Sequence, residues 1–587
     1  MYGGHVKRGE ARGKGQIADA NVLKLGIVGT FERGLAAIKK EIYSKEDFRQ
    51  KCGRVDTTNM SAHVYGDFNT SLESGVEVET KVAQFVASDA VQATIPIMDG
   101  AGSPIKIFDL AAGYKGAIDK SAFGNELAYK ITHSYNNTYK LTANTAATPM
   151  IAYLDSVEGL KVGYGFRIAD GSATEYAEIT AIDTVAKTIS FDALTATFTA
   201  AITTVSRMDW NLFLALKSLD GVYEQVESWE NVPFIQSDSY GMPLLTNDET
   251  SGSWVVTLEV NAANSTATMD TQIPAVVSTW TALASGANGT PAVAADYATL
   301  VTDLDDENIM ILLAPELSSA THNENMVDWA TYKCMYYSQS SNGATEATLK
   351  NLGALLRGPV KFGMIPADKW KEVDNDADRG SKISIPVVGM AAAEWFNSYV
   401  ANGAAKVSAG TKPVKTTGKL DLSNGLVHND KDGKGGRLIR EYSINICTFT
   451  LGKGITLNSG RTLSTDDGYK YQNQIMQWLL YSKSFITFLE SIEQDKSGVS
   501  AQKSHYNQAF AYMKKKWDAG DFYQHQFKDG SLSKFEDVVI IVNDFSLNTL
   551  AEINAGRETM FMQFIGIPPI EEPILSLASA PVTFVRG

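Results

Sequence analysis

The sequence predicts a multidomain α+β protein whose compact C-terminal α+β core carries extended N- and C-terminal arms. Three observations predict it. At 587 residues the chain is too long for one hydrophobic core, and its length suggests about three to five domains. Strand-like alternation and helical periodicity replace one another several times along the chain, and the stretch 272–437 alternates strand with helix in the α/β manner. Both ends lack core-forming patterns: residues 1–20 set Lys7, Arg8, Arg12 and Lys14 among glycines, and 568–587 opens on Pro568-Pro569.

Taken in order, 1–20 is predicted as an N-terminal extended arm, with an N-terminus that never orders as the alternative. Region 21–132 begins with a short buried strand, NVLKLGIVGTFERG. A helix follows with Ser44 as N-cap and Asp47 three residues on. Ile95–Leu110 alternates as a strand, and Phe123–Leu127 turns into a strand over Ala128–Thr132. Region 133–207 is rich in Thr and Ala and poor in Lys and Arg. Its short strands (Gly165–Ile168, Glu175–Ile182, Thr188–Phe191) and hairpin turns predict an all-β insertion.

Region 208–271 holds the strand pair Trp210–Leu216 and Gly221–Trp229, then the strand Trp254–Val260. In 272–437, Ala294–Leu304 reads as helix, and Asn308–Ala314 as a strand covered on both faces. Val360–Ile365 reads as a second such strand, Ala391–Val400 as a helix, and 401–437 as a loop or hinge. Region 438–567 is the α+β core. It has strands at Ser443–Leu451 and Ile455–Leu457, a Ser-Gly-Arg-Thr-Leu turn, and a helix carrying Ile475, Leu479, Ile486 and Leu489. A second helix over Ser504–Ala519 stacks Tyr506, Phe510, Met513 and Trp517, and the strands Phe535–Val542 and Thr559–Ile567 follow. Residues 568–587 form the C-terminal arm, because prolines cannot sit inside a central strand.

Composition excludes several functions. A formal charge of −15 argues against direct nucleic-acid binding, which needs basic surface. No apolar run approaches the roughly 18–20 residues that span a bilayer, so membrane insertion is not expected. The basic N-terminus has no apolar stretch after it and does not read as a secretory signal. Cys52, Cys334 and Cys447 are odd in number and far apart, which fits buried thiols in a reducing compartment. Asp374, Asp376 and Asp378, and then Asp430, Asp432, Gly435 and Glu441, imitate calcium-loop spacing. Arg379, Ile385 and Lys434 spoil both, so no metal or other cofactor is expected. Walker A and serine-nucleophile motifs are absent from the sequence, and neither His322 nor His428 has a recognisable nucleophile, so no enzymatic activity is expected.

Five motifs, in order, resemble those of the contractile tail sheath proteins of phages and contractile injection systems. They are GIVGTFERG (26–34), FGNELAYKI (123–131), VYEQVESWENV (222–232), GANGTPAVAADYATLVTDLDDENIMILLAPE (286–316) and the NSGRTL turn (458–463) with its helix. The matching signature positions are Gly29, Thr30, Glu32, Gly124, Asn125, Gly460, Arg461, Thr462 and Leu463. The chain departs from the pattern where MYGGHVKRG replaces a Pro-Gly-Val-Tyr opening, and where Gln474-Ile475-Met476-Gln477 stands in place of paired arginines.

The resemblance implies β-sandwich strands in 208–271, a non-catalytic, subtilisin-like fold for 272–437 and a place for 133–207 on the outside of a tube. It further implies a helical homo-oligomer surrounding an inner tail tube protein, with baseplate and tail terminator proteins at its ends. The subunit would be assembled in the host cytoplasm and located in the virion tail, where contraction drives the tube through an envelope. Arms donated to neighbouring cores join the subunits. Implied intersubunit contacts are Val22 and Leu23, then Val538, Ile540, Val542, Phe561 and Phe564, and finally Val582, Phe584 and Val585 in the donated arm. A non-contractile lattice protein, and a virion protein with a glycan-binding insertion, are the competing readings. A single chain with an insertion favours a phage tail over a secretion-type machine, whose sheath is usually split in two chains.

Overall fold

The computed structural model describes residues 17–566 apart from 36–39, 56–58, 101–103, 136, 146–149, 192–193, 235–240, 262–272, 306, 375–380, 410–413, 417, 423–433, 451–453, 493–498, 528, 545 and 550–559. Its centre is a six-stranded sheet in the order Lys40–Ile42, Glu79–Gln84, Lys24–Gly29, Ile311–Leu313, Met335–Tyr337 and Gly363–Met364. Every neighbouring pair is parallel except the first. The apolar run around 311 is central, as its composition predicts: Ile311 and Leu313 face one core, and Leu312 faces the other.

On one face pack the helices Met60–Ser71, Val388–Asn402 and Gln472–Ile492, with Phe68 meeting Phe396 edge-on at 6.0 Å. The other face is covered by Ala294–Leu300, Ala320–Ala330 and Glu346–Leu356. The helix Lys45–Cys52 starts where the sequence places it, with Ser44 Oγ accepting the Asp47 amide at 3.1 Å.

Contiguous regions do not coincide with these layers. The central sheet joins strands from 21–132 with strands from 272–437. A sandwich likewise joins the end of 21–132 to residues 208–283. One sandwich sheet runs Tyr223–Pro233, Asp209–Lys217, Leu127–Ser134, Val277–Ala282. The other runs Val256–Val260, Lys106–Tyr114, Thr94–Met98. Phe108 and Trp210 stack between them at 5.5 Å. The single alternating stretch 95–110 is two strands, because Asp99 Oδ1 accepts the Ile105 amide at 2.8 Å and turns the chain.

Between residues 138 and 207 six antiparallel strands follow one another in the order Thr138–Lys140, Thr204–Arg207, Gly165–Ala169, Thr174–Asp183, Thr188–Phe191, Ile151–Tyr153. The Leu141–Leu154 bridge joins the last to the first, closing a small barrel. Its interior is filled by Phe166, Ile168, Ile179, Ile189, Phe198 and Val205. The barrel hangs from a two-stranded stem, since Ser134 and Asp209 face each other across the strands that enter and leave it.

The C-terminal region departs from the sequence reading at three points. Lys434–Tyr442 is a helix rather than the end of a loop, so Gly435 and Glu441 are helical residues and Glu441 pairs with Arg437 at 2.8 Å. The strand expected from Phe535 opens as a helical turn, Phe535–Val538. Asp537 accepts the Lys534 amide at 2.8 Å, and Phe535 is drawn beneath Phe510 and Trp517 at ring distances of 5.0 and 6.0 Å. Strand begins only at Val539, and Val539–Val542 pairs antiparallel with Phe561–Phe564. Along Gln472–Ile492 the first half is buried on all sides. Farther on Ser484, Phe485 and Phe488 are buried, the two rings facing Val499–Asp518, whereas Ile486 and Leu489 lie exposed.

Candidate functional site

The turn after Lys24–Gly29 stands at the carboxyl ends of two parallel strands, where strand order reverses between Lys24–Gly29 and Ile311–Leu313. Ligands bind at such places in open α/β sheets. A cleft of about 720 Å³ opens here, lined among others by Thr30, Gln84, Tyr297, Glu316, Ser319 and His322. The Glu316 carboxylate accepts the Thr30 amide (3.1 Å), the Thr30 hydroxyl (2.9 Å), the Ser61 hydroxyl (2.8 Å) and the Tyr297 hydroxyl. Burial first, then the Glu316 charge, pushes the Tyr297 phenol far above its usual range. Gly29 leaves room for this cluster, because a Cβ there would lie 2.8 Å from Ser61 Cβ. Ser319 Oγ meets His322 Nδ1 and also accepts the His322 amide, as the N-cap of their shared helix. These polar groups bind one another and tie the first strand to the middle of the chain.

The same turn locks the central sheet to the sandwich through Arg33. Its guanidinium is fully buried, with Nε donating to Asp119 Oδ2 at 2.8 Å, Nη2 to Gly113 O at 2.8 Å, and Nη1 to Trp254 O at 2.6 Å and to Gln50 O. The Phe123 ring lies 5.0 Å away. Asp119 also accepts the Gly34 amide at 2.6 Å and the Ser121 hydroxyl at 2.7 Å, so a buried charge pair is completed by hydrogen bonds. Glu32 pairs with Arg54 at 2.6 Å, and Arg54 reaches across to Glu126 and Lys217 O. Asn125 exchanges two 2.8 Å hydrogen bonds with the backbone of Gly286. Gly124 is needed because a Cβ there would lie 2.5 Å from Ala93 Cβ.

The Ser-Gly-Arg-Thr-Leu turn is a third joint. The Leu463 amide donates to Gly363 O at 2.8 Å, at the edge strand of the central sheet, and its side chain is buried against Gly363. Thr462 Oγ1 donates to Tyr469 O at 2.6 Å, and the Arg461 amide to Asn445 Oδ1 at 3.0 Å. Gly460 packs against Gln472, its O accepting the Gln472 amide at 2.8 Å. Where paired arginines are missing, Gln474 Oε1 accepts the Tyr471 amide at 3.0 Å and Gln477 Nε2 donates to Asp521 O.

No protein-family model and no curated protein sequence matches the chain. Solved structures do. The sheath tail protein Lin1278 from Listeria innocua aligns over 94% of this chain and 96% of its own, at a TM-score of 0.50 and 11% identity. The chain has the fold of a sheath tail protein. The sheath tail protein DSY3957 from Desulfitobacterium hafniense aligns over 94% and 98%, with TM-score 0.47 and 7% identity. The contracted PVC sheath complex of an extracellular contractile injection system aligns over 49% and 74%, with TM-score 0.40 and 17% identity.

Within this sheath fold the signature positions sit at joints, whereas the expected intersubunit contacts divide. Val22 and Val538 are buried in the chain's own core, and Leu23 and Phe564 pack partly against it. Ile540 and Phe561 are 46% and 47% exposed, on one face of the C-terminal strand pair with Val542 and with Ile565. Val582, Phe584 and Val585 lie outside the described residues, as does the whole arm 568–587. Residues 17–20, the end of the stretch expected as an N-terminal arm, pack against the chain's own core. Ile17 is in the core, the Ala20 amide donates to Ser484 Oγ at 2.9 Å, and Asp19 binds the Tyr512 hydroxyl and Lys516 at 2.7 Å each.

Sequence reasoning missed Arg33, Asp119, Ser61, Tyr297 and Glu316 as joint residues. Arg33 and Glu316 stand inside quoted motifs, but only burial distinguishes them from surface charges. All three cysteines are buried, and burial pushes the Cys52 thiol up to about 11 and Cys334 to about 12. Among the described residues no cluster of His, Cys, Asp and Glu could hold a metal, and no helix is long and apolar enough to cross a membrane.

Proposed function

We propose that the chain is the structural subunit of a contractile tail sheath, polymerising as a helical tube around an inner tail tube protein and contracting to drive that tube through the host envelope. The single observation that carries this reading is the fold, shared with a sheath tail protein over 94% of the chain. The C-terminal strand pair supports it, because two strands with an apolar exposed face are marginal alone and gain from a third. Residues 568–587 from one neighbour and 1–16 from another would supply added strands whose backbone hydrogen bonds survive while the linkers bend. The 272–437 region would then be the non-catalytic subtilisin-like part, and 138–207 would decorate the outside. Baseplate and terminator proteins would close the ends of the tube, in a virion tail assembled in the host cytoplasm. A heterologous contact that does not close makes a filament. A difference of a few kcal/mol per subunit between two lattices, summed over many copies, would drive contraction.

Electron microscopy of the purified chain at rising concentration, with and without the inner tube protein, tests this. Hollow tubes are the expected outcome. Discrete particles under both conditions would reject it and favour a static lattice or a receptor-binding role for the barrel.

A further inference from the structure

The dipeptide Asn-Gly occurs at 288–289, 342–343, 402–403 and 424–425, and the first three of these pairs lie among the described residues. Such a pair is chemically fragile. The glycine nitrogen is an internal nucleophile for the asparagine side-chain amide, because no Cβ shields it. Two conditions gate the attack. The side chain must be free to swing onto the following nitrogen, and that nitrogen must be free to release its proton.

The fold treats the three pairs differently. At Asn402 the nitrogen is engaged. The Gly403 amide donates to Tyr399 O at 2.8 Å, closing the helix Val388–Asn402, and Asn402 Nδ2 donates to Ser398 O at 3.2 Å. At Asn288 the side chain is engaged, with Oδ1 accepting the Ala122 amide at 2.7 Å. Its glycine is enclosed as well. A Cβ on Gly289 would lie 2.8 Å from Ala87 Cβ, and the neighbouring Asp89 carboxylate holds the Thr290 amide at 2.9 Å and hydroxyl at 2.8 Å. That negative charge also opposes loss of a proton from the Gly289 amide.

Asn342 meets neither restraint. Ser341, Asn342 and Gly343 are exposed, and neither the Asn342 side chain nor the Gly343 amide forms a hydrogen bond among the described residues. The Ala344 amide closes the turn on Ser341 O at 3.2 Å, with Gly343 at a φ of 70° and nothing within 4 Å of where its Cβ would stand. The following helix, Glu346–Leu356, does not depend on this turn for its cap. Thr345 Oγ1 accepts the Thr348 amide at 3.2 Å.

We propose that Asn342 is a site of spontaneous covalent modification, where the Gly343 nitrogen closes a ring on the asparagine side chain and water opens it. The bond from Gly343 N to Asn342 Cγ forms as the bond from Cγ to Nδ2 breaks, and ammonia leaves with the amide proton. Water then adds to either ring carbonyl, and the whole sequence is redox-neutral. One opening leaves aspartate at 342. The other leaves isoaspartate, with the backbone rerouted through the side chain and one methylene longer. Either product adds one negative charge to a chain of formal charge −15. The chemistry belongs to a single folded chain and holds whatever that chain assembles into.

The full-length chain, held folded in warm, mildly alkaline buffer and mapped by peptide mass at successive times, tests it. Sampling stops before the circular dichroism changes, so every rate is that of the folded protein. Conversion, a gain of about one dalton, should run at least tenfold faster at Asn342 than at Asn288 or Asn402, because those two must first open locally. An isoaspartate methyltransferase should label the Asn342 peptide. In urea strong enough to unfold the chain, the three rates should draw together, since the difference is a property of the fold. An unconverted Asn342 in the folded chain, similar folded-state rates at all three sites, or a difference that persists in urea would each overturn the proposal.

Discussion

The barrel at 138–207 and the strand pair at the C-terminus are built from the same short, apolar, antiparallel strands, yet they treat their edges in opposite ways. In the barrel the Leu141–Leu154 bridge leaves no open edge among the described residues, and Phe166 and Phe191 meet edge-on at 5.6 Å in a filled interior. In the C-terminal pair only one face is covered, by Tyr481 and Phe522 against Phe564, while Ile540, Phe561 and Ile565 face outward. A closed barrel has no edge for another chain to extend. Two strands with a bare apolar face ask for more. The difference separates a part that closes its own sheet from a part that leaves one apolar face exposed.

The largest expected contrast comes from removing each part's distinctive piece. Truncation after Gly566 should leave a folded monomer that forms no tubes. Replacement of 135–208 by an Asn-Gly turn should leave tubes intact, because Ser134 and Asp209 already face each other as hairpin ends. Electron microscopy and circular dichroism of both variants decide this, and tubes from the truncated chain would erase the contrast.

Core truncation sharpens it next. Phe166→Ala should cost about 3–5 kcal/mol of local stability in the barrel, read as loss of exchange protection over 138–207. Phe561→Ala, half-exposed in the monomer, should change monomer stability by about 1 kcal/mol or less and raise the concentration needed for assembly.

A smaller effect tests how complete the self-sufficient parts are. Buried Arg33 has a carboxylate and three carbonyls, whereas buried Lys40 has no partner for Nζ among the described residues. Burial lowers the Lys40 pKa to about 8 from 10.5, against the opposing pull of Cys52 and Asp119. The unfolded chain therefore binds more protons between those values, and stability should rise as pH goes from about 8 to 10.5, by up to about 3 kcal/mol. Lys40→Met should abolish that rise and stabilise the protein at pH 7, as urea midpoints at pH 7 and 10 will show. Equal midpoints for wild type and variant at pH 7 would mean that Lys40 has found a partner.

What was legible in the sequence followed from local chemistry. The Ser44 cap, the Asn308–Ala314 run and the barrel hairpins depend on neighbouring residues, and each stands close to where its pattern puts it. Pairing over long separations left no such trace. Nothing between residues 29 and 311 announces that those two strands lie side by side, so regions that look separate in sequence share a sheet. Val538 looked like a strand residue facing a neighbour, because alternation alone does not reveal that Phe535 is pulled under an aromatic helix. Ile486 and Leu489 keep helical spacing with Ile475, but the covering helix meets only the Phe485 side. Joint residues stayed hidden for a similar reason, since Arg33 and Arg54 look alike in sequence and only Arg33 is fully enclosed.

The place of Lys24–Gly29 at the middle of the central sheet also sets a timetable. Its partner on one side, Glu79–Gln84, leaves the ribosome soon after it, but Ile311–Leu313 lies about 280 residues downstream. At roughly 5–20 residues per second, that edge waits about 14–56 s for its companion. Throughout that interval the nascent polypeptide carries an unpaired, apolar strand edge, and its yield in a cell should respond to chaperone supply and translation speed more than to the stability of the finished subunit.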